Sequence, residues 1–249
     1  MKSPEKVVDH IVNWLKNYLE TSKIKGFVVG VSGGIDSAVT STLCARTGAP
    51  VLCLEMAIHQ EENQVSRALD HIKWLEKNHE NVSHHSIMLT PLFESFIKSL
   101  PPTEENEQQL LSLANTRARL RMSTLYYFAA LHNYLVAGTG NKVEDFGVGF
   151  YTKYGDGGVD ISPIADCSKS DVWDLAREIG VIKDIIDAAP TDGLWDDSRN
   201  DENQLGLSYK QLEEAMENKN SQYYKKYEEI RGPNLHKMKP IPVCEFPRD

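Results

Sequence analysis

The chain has 249 residues, of which 41% are hydrophobic and 25% are charged. This length allows a large buried core, and we expect a single domain over residues 1–249. A formal net charge of −9 argues against a broad nucleic-acid interface, because neutralising backbone phosphates takes a dense basic face.

Neither a membrane span nor a secretion signal is visible in the sequence. Unbroken apolar runs are too short to cross a bilayer, and the residues after Met1 lack an apolar signal core. We therefore expect a cytoplasmic protein without a membrane partner. The cysteine spacing fits neither a zinc site nor a disulfide framework, and we expect all four to be buried: Cys44, Cys53, Cys167 and Cys244.

The first third of the chain alternates helix and strand patterns. Ser3 followed by Pro4 is typical of a helix start, and apolar residues from Val7 to Leu19 then recur at helical spacing. The next segments are predicted, in order, as strand, helix, strand and helix: 27–31, 38–45, 51–56 and 61–77.

The rest of the chain continues this alternation and then becomes mostly helical. Strands are predicted over 82–89 and 134–138, with helices over 91–100 and 106–132 between them. Further helices are predicted over 169–179, 182–188, 208–217 and 221–230. This order predicts an α/β fold: a doubly wound, mainly parallel sheet with helices on both faces, extra C-terminal helices, and ligands at the carboxyl ends of the strands.

The most informative segment is SGGIDS at residues 32–37, which joins the first predicted strand to the next helix. Two glycines let backbone N–H groups converge on phosphate oxygens, and the helix start adds unpaired donors. A Walker A loop ends in Lys beside Ser or Thr, whereas Asp36 lies here, which indicates a ligand for Mg²⁺. The alternative is an ordinary glycine-rich turn.

A second unusual stretch, FYTKYGDGGVD at residues 150–160, combines aromatic residues, a cation, two acids and three glycines. Lys153 can pair with a phosphate or carboxylate, and Tyr151 or Tyr154 can stack on a flat ring. This composition favours a binding loop, with a solvated turn as the alternative.

From residue 27 to residue 242 the sequence resembles the ammonia-dependent NAD synthetase family, within the ATP pyrophosphatase group. The SGGIDS loop fits the SGGxDS pattern of that group, and GFYTKYGDGG at 149–158 is the more specific match. The resemblance implies an adenine nucleotide alpha hydrolase-like fold. It also implies a homodimer with the substrate at the subunit boundary.

The resemblance implies roles for individual residues as well. Mg²⁺ is expected at Asp36 and Glu144, and catalysis at Asp36, Lys169 and Asp160. ATP is expected to contact Gly30, Val31, Ser32, Gly33, Gly34, Ile35, Asp36, Ser37, Thr139, Lys169 and Thr191. Deamido-NAD is expected to contact Arg119, Lys153, Asp160, His236 and Lys237.

After the fourth predicted strand the chain departs from one pattern of this family. Some bacterial members have TDHAAE, whereas this chain has TGNKVE at 139–144. Thr139 and Glu144 keep their spacing, so the implied ATP and metal roles carry over. The chain is similar instead to a second pattern of the family, GTxNKxE. The roles of Asn141 and Lys142 stay open, because roles in one pattern do not transfer to the other.

The implied reaction starts with attack of the nicotinate carboxylate on the α-phosphorus of ATP, which releases pyrophosphate. Ammonia then displaces AMP from the acyl-adenylate and gives NAD. Positioning and charge neutralisation by Mg²⁺ and Lys169 support such chemistry without a covalent nucleophile. Asp156 and Asp160 are the candidates to accept the ammonium proton. The segment before residue 27 is too short for a glutaminase domain, so free ammonia is the expected nitrogen donor.

Other functions stay open at this point. A GMP synthetase-type amidating enzyme or a tRNA-modifying adenylase would share the SGGxDS pattern, although a different second loop is expected in each. A non-catalytic module that senses ATP would also bind nucleotide at residues 32–37. Turnover separates such a module from an enzyme.

Overall fold

The computed structural model describes residues 3–188 and 201–246. Within these ranges four strands form one parallel sheet: β1 (Gly26–Gly30), β2 (Val51–Glu55), β3 (Val82–Ser86) and β4 (Tyr134–Val136). Their order across the sheet is β3-β2-β1-β4, so Val28 pairs with Leu52 on one side and Val136 on the other. The carboxyl ends of β1 and β4 therefore flank a topological switch point, where ligands bind in this class of fold.

Helices surround this sheet. Within the described part of the chain they are α1 (Pro4–Ser22), α2 (Ile35–Ala45), α3 (Glu62–Asn78), α4 (Thr90–Lys98), α5 (Glu107–His132), α6 (Lys169–Ile179), α7 (Lys183–Ile186), α8 (Asp201–Leu205), α9 (Tyr209–Glu217), α10 (Tyr224–Arg231) and α11 (Leu235–Met238). A π-helix, Lys142–Val148, follows β4, and a 3₁₀ turn, Gly232–Asn234, precedes α11. Among these helices, none combines the length and apolar character that a bilayer span requires.

The alternation of side chains along β1 separates two apolar cores. Phe27 and Val29 belong to a core that also contains Leu15 of α1 and residues of α2 and α6. Val28 belongs to the opposite core, with Phe93 of α4 and residues of α5. Successive strand residues face opposite sides of a sheet, and both sides are covered here. Coverage on both faces explains why β1 and β2 are nearly continuous apolar runs.

The C-terminal helices pack on the segment that follows β4. Val143 and Val148 of the π-helix share a third apolar cluster with Leu212 of α9 and Tyr227 of α10. The hydroxyl of Tyr227 also donates to the carbonyl oxygen of Gly147 over 3.2 Å. These contacts hold the π-helix beside the switch point.

The predicted architecture is confirmed in its main features: the doubly wound parallel sheet, helices on both faces and extra C-terminal helices. The π-helix was not predicted. The predicted third strand is too long, because β3 ends at Ser86, although the N–H of Leu89 still donates to the carbonyl of Ala57. Three cysteines are buried as expected, but Cys244 is exposed and the prediction is wrong there.

Candidate active site

The loop after β1 is closed by serine side chains. The backbone N–H of Ser32 donates to Ser37 Oγ over 3.2 Å, and that hydroxyl donates to the carbonyl of Gly34 over 2.9 Å. Gly33 has a φ of +80°, and a Cβ there would lie 2.6 Å from the carbonyl oxygen of Gln64 in α3. A side chain at position 33 would be both strained and crowded, so the turn requires glycine.

Asp36, the second residue of α2, faces a buried lysine. Lys169 Nζ lies 2.6 Å from Asp36 Oδ2 and 2.9 Å from Glu144 Oε1. The Lys169 side chain is only 2% exposed, so the two carboxylates replace the water that its ammonium has lost. Lys169 begins α6, whose N-cap Ser168 forms a capping box with Asp171. The helix start is therefore fixed, and with it the position of the lysine.

Two further side chains hold these carboxylates. Tyr209, the first residue of α9, donates from its hydroxyl to Glu144 Oε1 over 2.6 Å, and Lys169 Nζ lies 4.9 Å from the centre of its ring. Asn141 donates from Nδ2 to Asp36 Oδ1 over 3.1 Å. One buried network thus joins α2, the π-helix region, α6 and α9.

Burial and the shared ammonium set the ionisation of this network. Burial raises the pKa of Asp36, although Lys169 opposes the rise. Burial acts in the same direction on Glu144, but Lys169 and the hydroxyl of Tyr209 outweigh it and leave its pKa below the ordinary value. Burial alone would lower the pKa of Lys169, yet the two carboxylates raise it above its usual range. The lysine is therefore charged at physiological pH.

The two carboxylates also suit a divalent cation. Asp36 and Glu144 converge on one point where a positive charge, the ammonium of Lys169, is accommodated. Within the described residues, no group of three or more His, Cys, Asp or Glu side chains could hold a metal ion. Mg²⁺ commonly takes one or two carboxylates together with substrate phosphates and water. The donor set therefore fits Mg²⁺ that is bound together with a nucleotide.

A first cavity, of about 240 Å³, opens beside this network. Glu144 lines it, and apolar side chains such as Met122 and Leu125 complete its wall. Most of the residues predicted to contact ATP also line it: Gly30, Val31, Ser32, Gly34, Asp36, Ser37 and Thr139. Gly33, Ile35 and Lys169 are not part of the lining. Ile35 belongs to the core, where it is 5% exposed, and Lys169 is 2% exposed.

A second cavity, of about 440 Å³, adjoins the first, and Phe150 and Asp156 line both. Four basic residues predicted to contact the second substrate lie in its wall: Arg119, Lys153, His236 and Lys237. The structure therefore brings these four together, although they come from α5, the second loop and the C-terminal segment.

The basic residues of the second cavity lie against backbone carbonyls. Lys237 Nζ donates to the carbonyl of Tyr151 over 2.7 Å, and Arg119 Nε lies 3.4 Å from the carbonyl oxygen of Lys153. Among the described side chains, no carboxylate forms a salt bridge with any of the four. Burial lowers the pKa of Lys237, although Asp156 acts against this shift. Such basic groups are suited to an anionic ligand.

Asp160, predicted to act in catalysis and substrate binding, lines neither cavity. Its carboxylate accepts hydrogen bonds from the backbone N–H of Val136 over 2.8 Å and from the hydroxyl of Tyr126 over 3.0 Å. These bonds attach the end of the second loop to β4 and α5. The catalytic role of Asp160 stays a prediction. Thr191 lies outside the described residues, so its predicted ATP contact also stays a prediction.

The structure adds Tyr209, Asn141 and Arg121 to the site. Arg121 lines the first cavity while Arg119 lines the second, which agrees with the different directions of helix residues two apart. No local sequence signal connects Tyr209 with Glu144, because 65 residues separate them. Only the packing of α9 against the π-helix brings these two side chains together.

Known proteins resemble this chain over nearly its whole length. The model of the NAD synthase family matches residues 7–244. The NH₃-dependent NAD⁺ synthetase of Carboxydothermus hydrogenoformans is 38% identical over 218 residues, which are 85% of each chain. The NMN synthetase from Francisella tularensis has a TM-score of 0.90 and 32% identity, covering 98% of this chain and 99% of that one.

A second solved structure supports the same assignment. The NH₃-dependent NAD synthetase from Campylobacter jejuni has a TM-score of 0.77 and 27% identity, covering 98% of this chain and 100% of that one. The family match extends over the glycine-rich loop at residues 32–37, the buried Asp36–Lys169–Glu144 network and the basic residues of the second cavity. The chain therefore belongs to the NAD synthase family.

Proposed function

We propose that the protein converts deamido-NAD, ammonia and ATP into NAD, AMP and pyrophosphate. The observation that carries this proposal is the pair of adjoining cavities. Residues of the loop at 32–37 line one, and four basic residues line the other. Phe150 and Asp156 line both, so substrates bound one in each cavity would have their reacting ends at the shared wall. The names of the relatives support the same reaction.

ATP is proposed to bind in the first cavity with its phosphates at residues 32–37. Backbone N–H groups at the start of α2 would donate to phosphate oxygens. Asp36 and Glu144 would hold Mg²⁺, which when bound supplies positive charge that neutralises the triphosphate. Lys169, 2.6 Å from Asp36, adds a permanent positive charge to the same region.

Deamido-NAD is proposed to bind in the second cavity through its negative groups. Arg119, Lys153 and Lys237 offer N–H donors to the pyrophosphate of the dinucleotide, and His236 lies beside them. Tyr151 provides aromatic surface for a flat ring in the same cavity.

The reaction then proceeds in two steps. A carboxylate oxygen of the nicotinate bonds to the α-phosphorus, and the bond to the bridging oxygen breaks, so pyrophosphate leaves with the electron pair. Ammonia next attacks the carbonyl carbon and AMP leaves. One proton comes off ammonium before the attack and one comes off the nitrogen during it. We assign proton acceptance to Asp156, the sequence candidate that lines both cavities.

Amidation of the corresponding mononucleotide is a second candidate function. The NMN synthetase from Francisella tularensis gives a higher TM-score, 0.90, than the Campylobacter jejuni NAD synthetase, 0.77. The two candidates share the reacting carboxylate and differ in whether the adenosine half of the substrate is present. Comparing kcat/KM for deamido-NAD and for nicotinate mononucleotide decides between them, and a preference for the mononucleotide would change the substrate but not the chemistry.

A cytoplasmic homodimer that uses free ammonia completes the proposal. Large apolar side chains are exposed on the neighbouring helices α4 and α5: Leu92, Phe96, Leu110, Leu111, Tyr127 and Leu131. Such a surface suits burial against a second copy of the chain. Light scattering should give twice the chain mass, and a monomer at all concentrations would exclude the dimer. Glutamine in place of ammonium should give no NAD.

Turnover with defined substrates tests the function. Protein with ATP, Mg²⁺, ammonium and deamido-NAD should give NAD, AMP and pyrophosphate in equal amounts by chromatography. Asp36→Ala, which removes a carboxylate from the buried network, should abolish product formation. Release of ADP, or ATP binding without turnover, would overturn the proposal and favour an ATP-sensing module. Amidation of xanthosine monophosphate would favour a GMP synthetase-type enzyme.

A further inference from the structure

The geometry points to Asn141 as the positioning residue that orients the carboxylate of Asp36 for adenylation, an inference that rests on the proposed function. Asn141 follows β4 and directly precedes the π-helix, 105 residues from Asp36 in the sequence. Its side chain is completely buried. A buried amide needs hydrogen-bond partners inside the protein, and the partners of Asn141 define what it does.

Three hydrogen bonds fix the direction of this amide. Asn141 Oδ1 accepts from the backbone N–H of Val143 over 3.0 Å and from that of Glu144 over 3.1 Å. Because backbone N–H groups only donate, the amide oxygen must face them and the amide nitrogen must face Asp36. The 3.1 Å contact from Nδ2 to Asp36 Oδ1 therefore always presents a donor to the carboxylate.

The two oxygens of Asp36 consequently have different partners. Asn141 binds Oδ1 and Lys169 binds Oδ2, so rotation of the carboxylate would break at least one hydrogen bond. Asn141 also caps the π-helix that carries Glu144. One side chain thus sets the positions of both carboxylates that face the ammonium of Lys169, which preorganises them for a cation and for phosphates.

Helix capping alone is the competing explanation for this residue. Asn, Asp and Ser are about equally good N-caps, so Ser or Asp at position 141 keeps a capping acceptor. Serine is too short to reach Asp36, whereas Asp would turn a second carboxylate toward it. A pure cap therefore predicts equal behaviour of the three residues, while positioning predicts an ordered decline from Asn to Ser to Asp.

The chain offers a matched control. Asn106 is the N-cap of α5, where its side chain accepts from the backbone N–H of Gln109 over 2.9 Å. Asn106 is exposed and lines neither cavity. Asn106→Ser and Asn106→Asp therefore measure the effect of the same exchanges on capping alone.

The experiment compares N141S and N141D with the two Asn106 variants and the parent. Two readouts are needed: the rate of acyl-adenylate formation, and the increase in melting temperature that ATP with Mg²⁺ gives over ATP with EDTA. Losing a hydrogen bond to a charged group should slow adenylation about tenfold in N141S, and about a hundredfold in N141D. The Mg²⁺-dependent increase in melting temperature should fall in the same order. Without ligand, both Asn141 variants should still melt cooperatively, with the larger decrease in melting temperature for N141D because it buries a second carboxylate beside Asp36.

Either of two results would overturn the inference. One is a rate and a Mg²⁺-dependent thermal shift equal to those of the Asn106 variants. The other is loss of cooperative melting without ligand, which would make Asn141 a cap that the fold needs rather than a positioning residue. If the parent protein forms no acyl-adenylate, the proposed function fails instead, and the thermal shifts still test the orientation of Asp36.

Discussion

The two cavities of the site obtain their electrostatic balance in different ways. Beside the first, opposite charges neutralise each other within the protein, since Lys169 lies between Asp36 and Glu144. In the second, Arg119 and Lys237 lie against backbone carbonyls and have no salt bridge to a described side chain. The first is thus organised by direct ion pairs before a ligand binds, whereas in the second Asp156 and Asp145 act on Lys237 without a salt bridge, and an anionic ligand would add counter-charge. Substitutions in the buried network of the first should therefore damage both folding and catalysis, and substitutions of the basic residues in the second should change affinity alone.

The largest expected effect comes from Lys169→Met. This change leaves two buried carboxylates without their cation, which should lower the free energy of unfolding by about 3–5 kcal/mol. It should also slow NAD formation at least about a thousandfold. Urea unfolding and a product assay measure the two effects.

Lys142→Met is the matched control, because Lys142 Nζ lies 2.9 Å from Asp166 Oδ1 in a pair whose carboxylate is 98% exposed. A surface pair of this kind contributes little to stability. Equal stability of the two variants would remove the contrast between the cavities.

The next largest effect is expected from Lys237→Met, in the second cavity. The KM for deamido-NAD should rise about ten- to a hundredfold because a cationic donor is lost. The KM for ATP and the free energy of unfolding should stay the same. Lys239→Met, two residues away and exposed outside the cavity, is the control and should leave both KM values unchanged. A parallel rise in both KM values for Lys237→Met would contradict the separation of the two cavities.

A smaller effect is expected from Gly33→Ala in the glycine-rich loop at residues 32–37. A Cβ at position 33 combines a φ of +80° with a 2.6 Å approach to the carbonyl of Gln64, so the loop must shift and the KM for ATP should rise about tenfold. Gly48→Ala is the control, because Gly48 has a φ of +79° with nothing within 4 Å of the added atom. If both variants lose only stability, the loop does not bind ATP.

The smallest effect is a pH dependence that should differ between the cavities. Burial lowers the pKa of Lys237, so its charge is lost as pH rises before that of an ordinary lysine. The pKa of Lys169 is raised by Asp36 and Glu144, so its charge persists. The KM for deamido-NAD should therefore increase at alkaline pH while the KM for ATP does not. Lys237→Arg keeps its charge and should remove the increase; an unchanged pH profile in that variant would show that another group is responsible.

The parts of the site that depend on local chemistry are predictable from the sequence. The glycines at residues 32–37 predict a turn, because they allow close backbone approach, and the apolar runs predict the buried strands. The π-helix was not predicted, because its buried apolar residues do not recur at α-helical spacing. Val143 and Val148 face the same cluster at a spacing of five, which a π-helix places on one side and which a search for α-helical spacing misses.

Long-range contacts set the remaining limits of prediction. Tyr209 reaches Glu144, and Asn141 reaches Asp36, only because packing brings distant segments together. The family resemblance implies a catalytic role for Asp160, which stays a prediction; its carboxylate accepts a hydrogen bond from the backbone of β4, a contact that the sequence does not predict. Residue type and spacing can suggest which side chains are chemically able to act. They do not determine which oxygen of a carboxylate forms a hydrogen bond with each partner.

The most direct test of the two-cavity account follows the oxygen that joins the substrates. Deamido-NAD labelled with ¹⁸O in the nicotinate carboxylate is turned over with ATP, Mg²⁺ and ammonium, and the products are measured by mass spectrometry. Attack of the carboxylate on the α-phosphorus predicts AMP that carries one labelled oxygen, with no label in pyrophosphate. Unlabelled AMP, or label in pyrophosphate, would contradict a site that brings the carboxylate of one cavity to the α-phosphorus in the other.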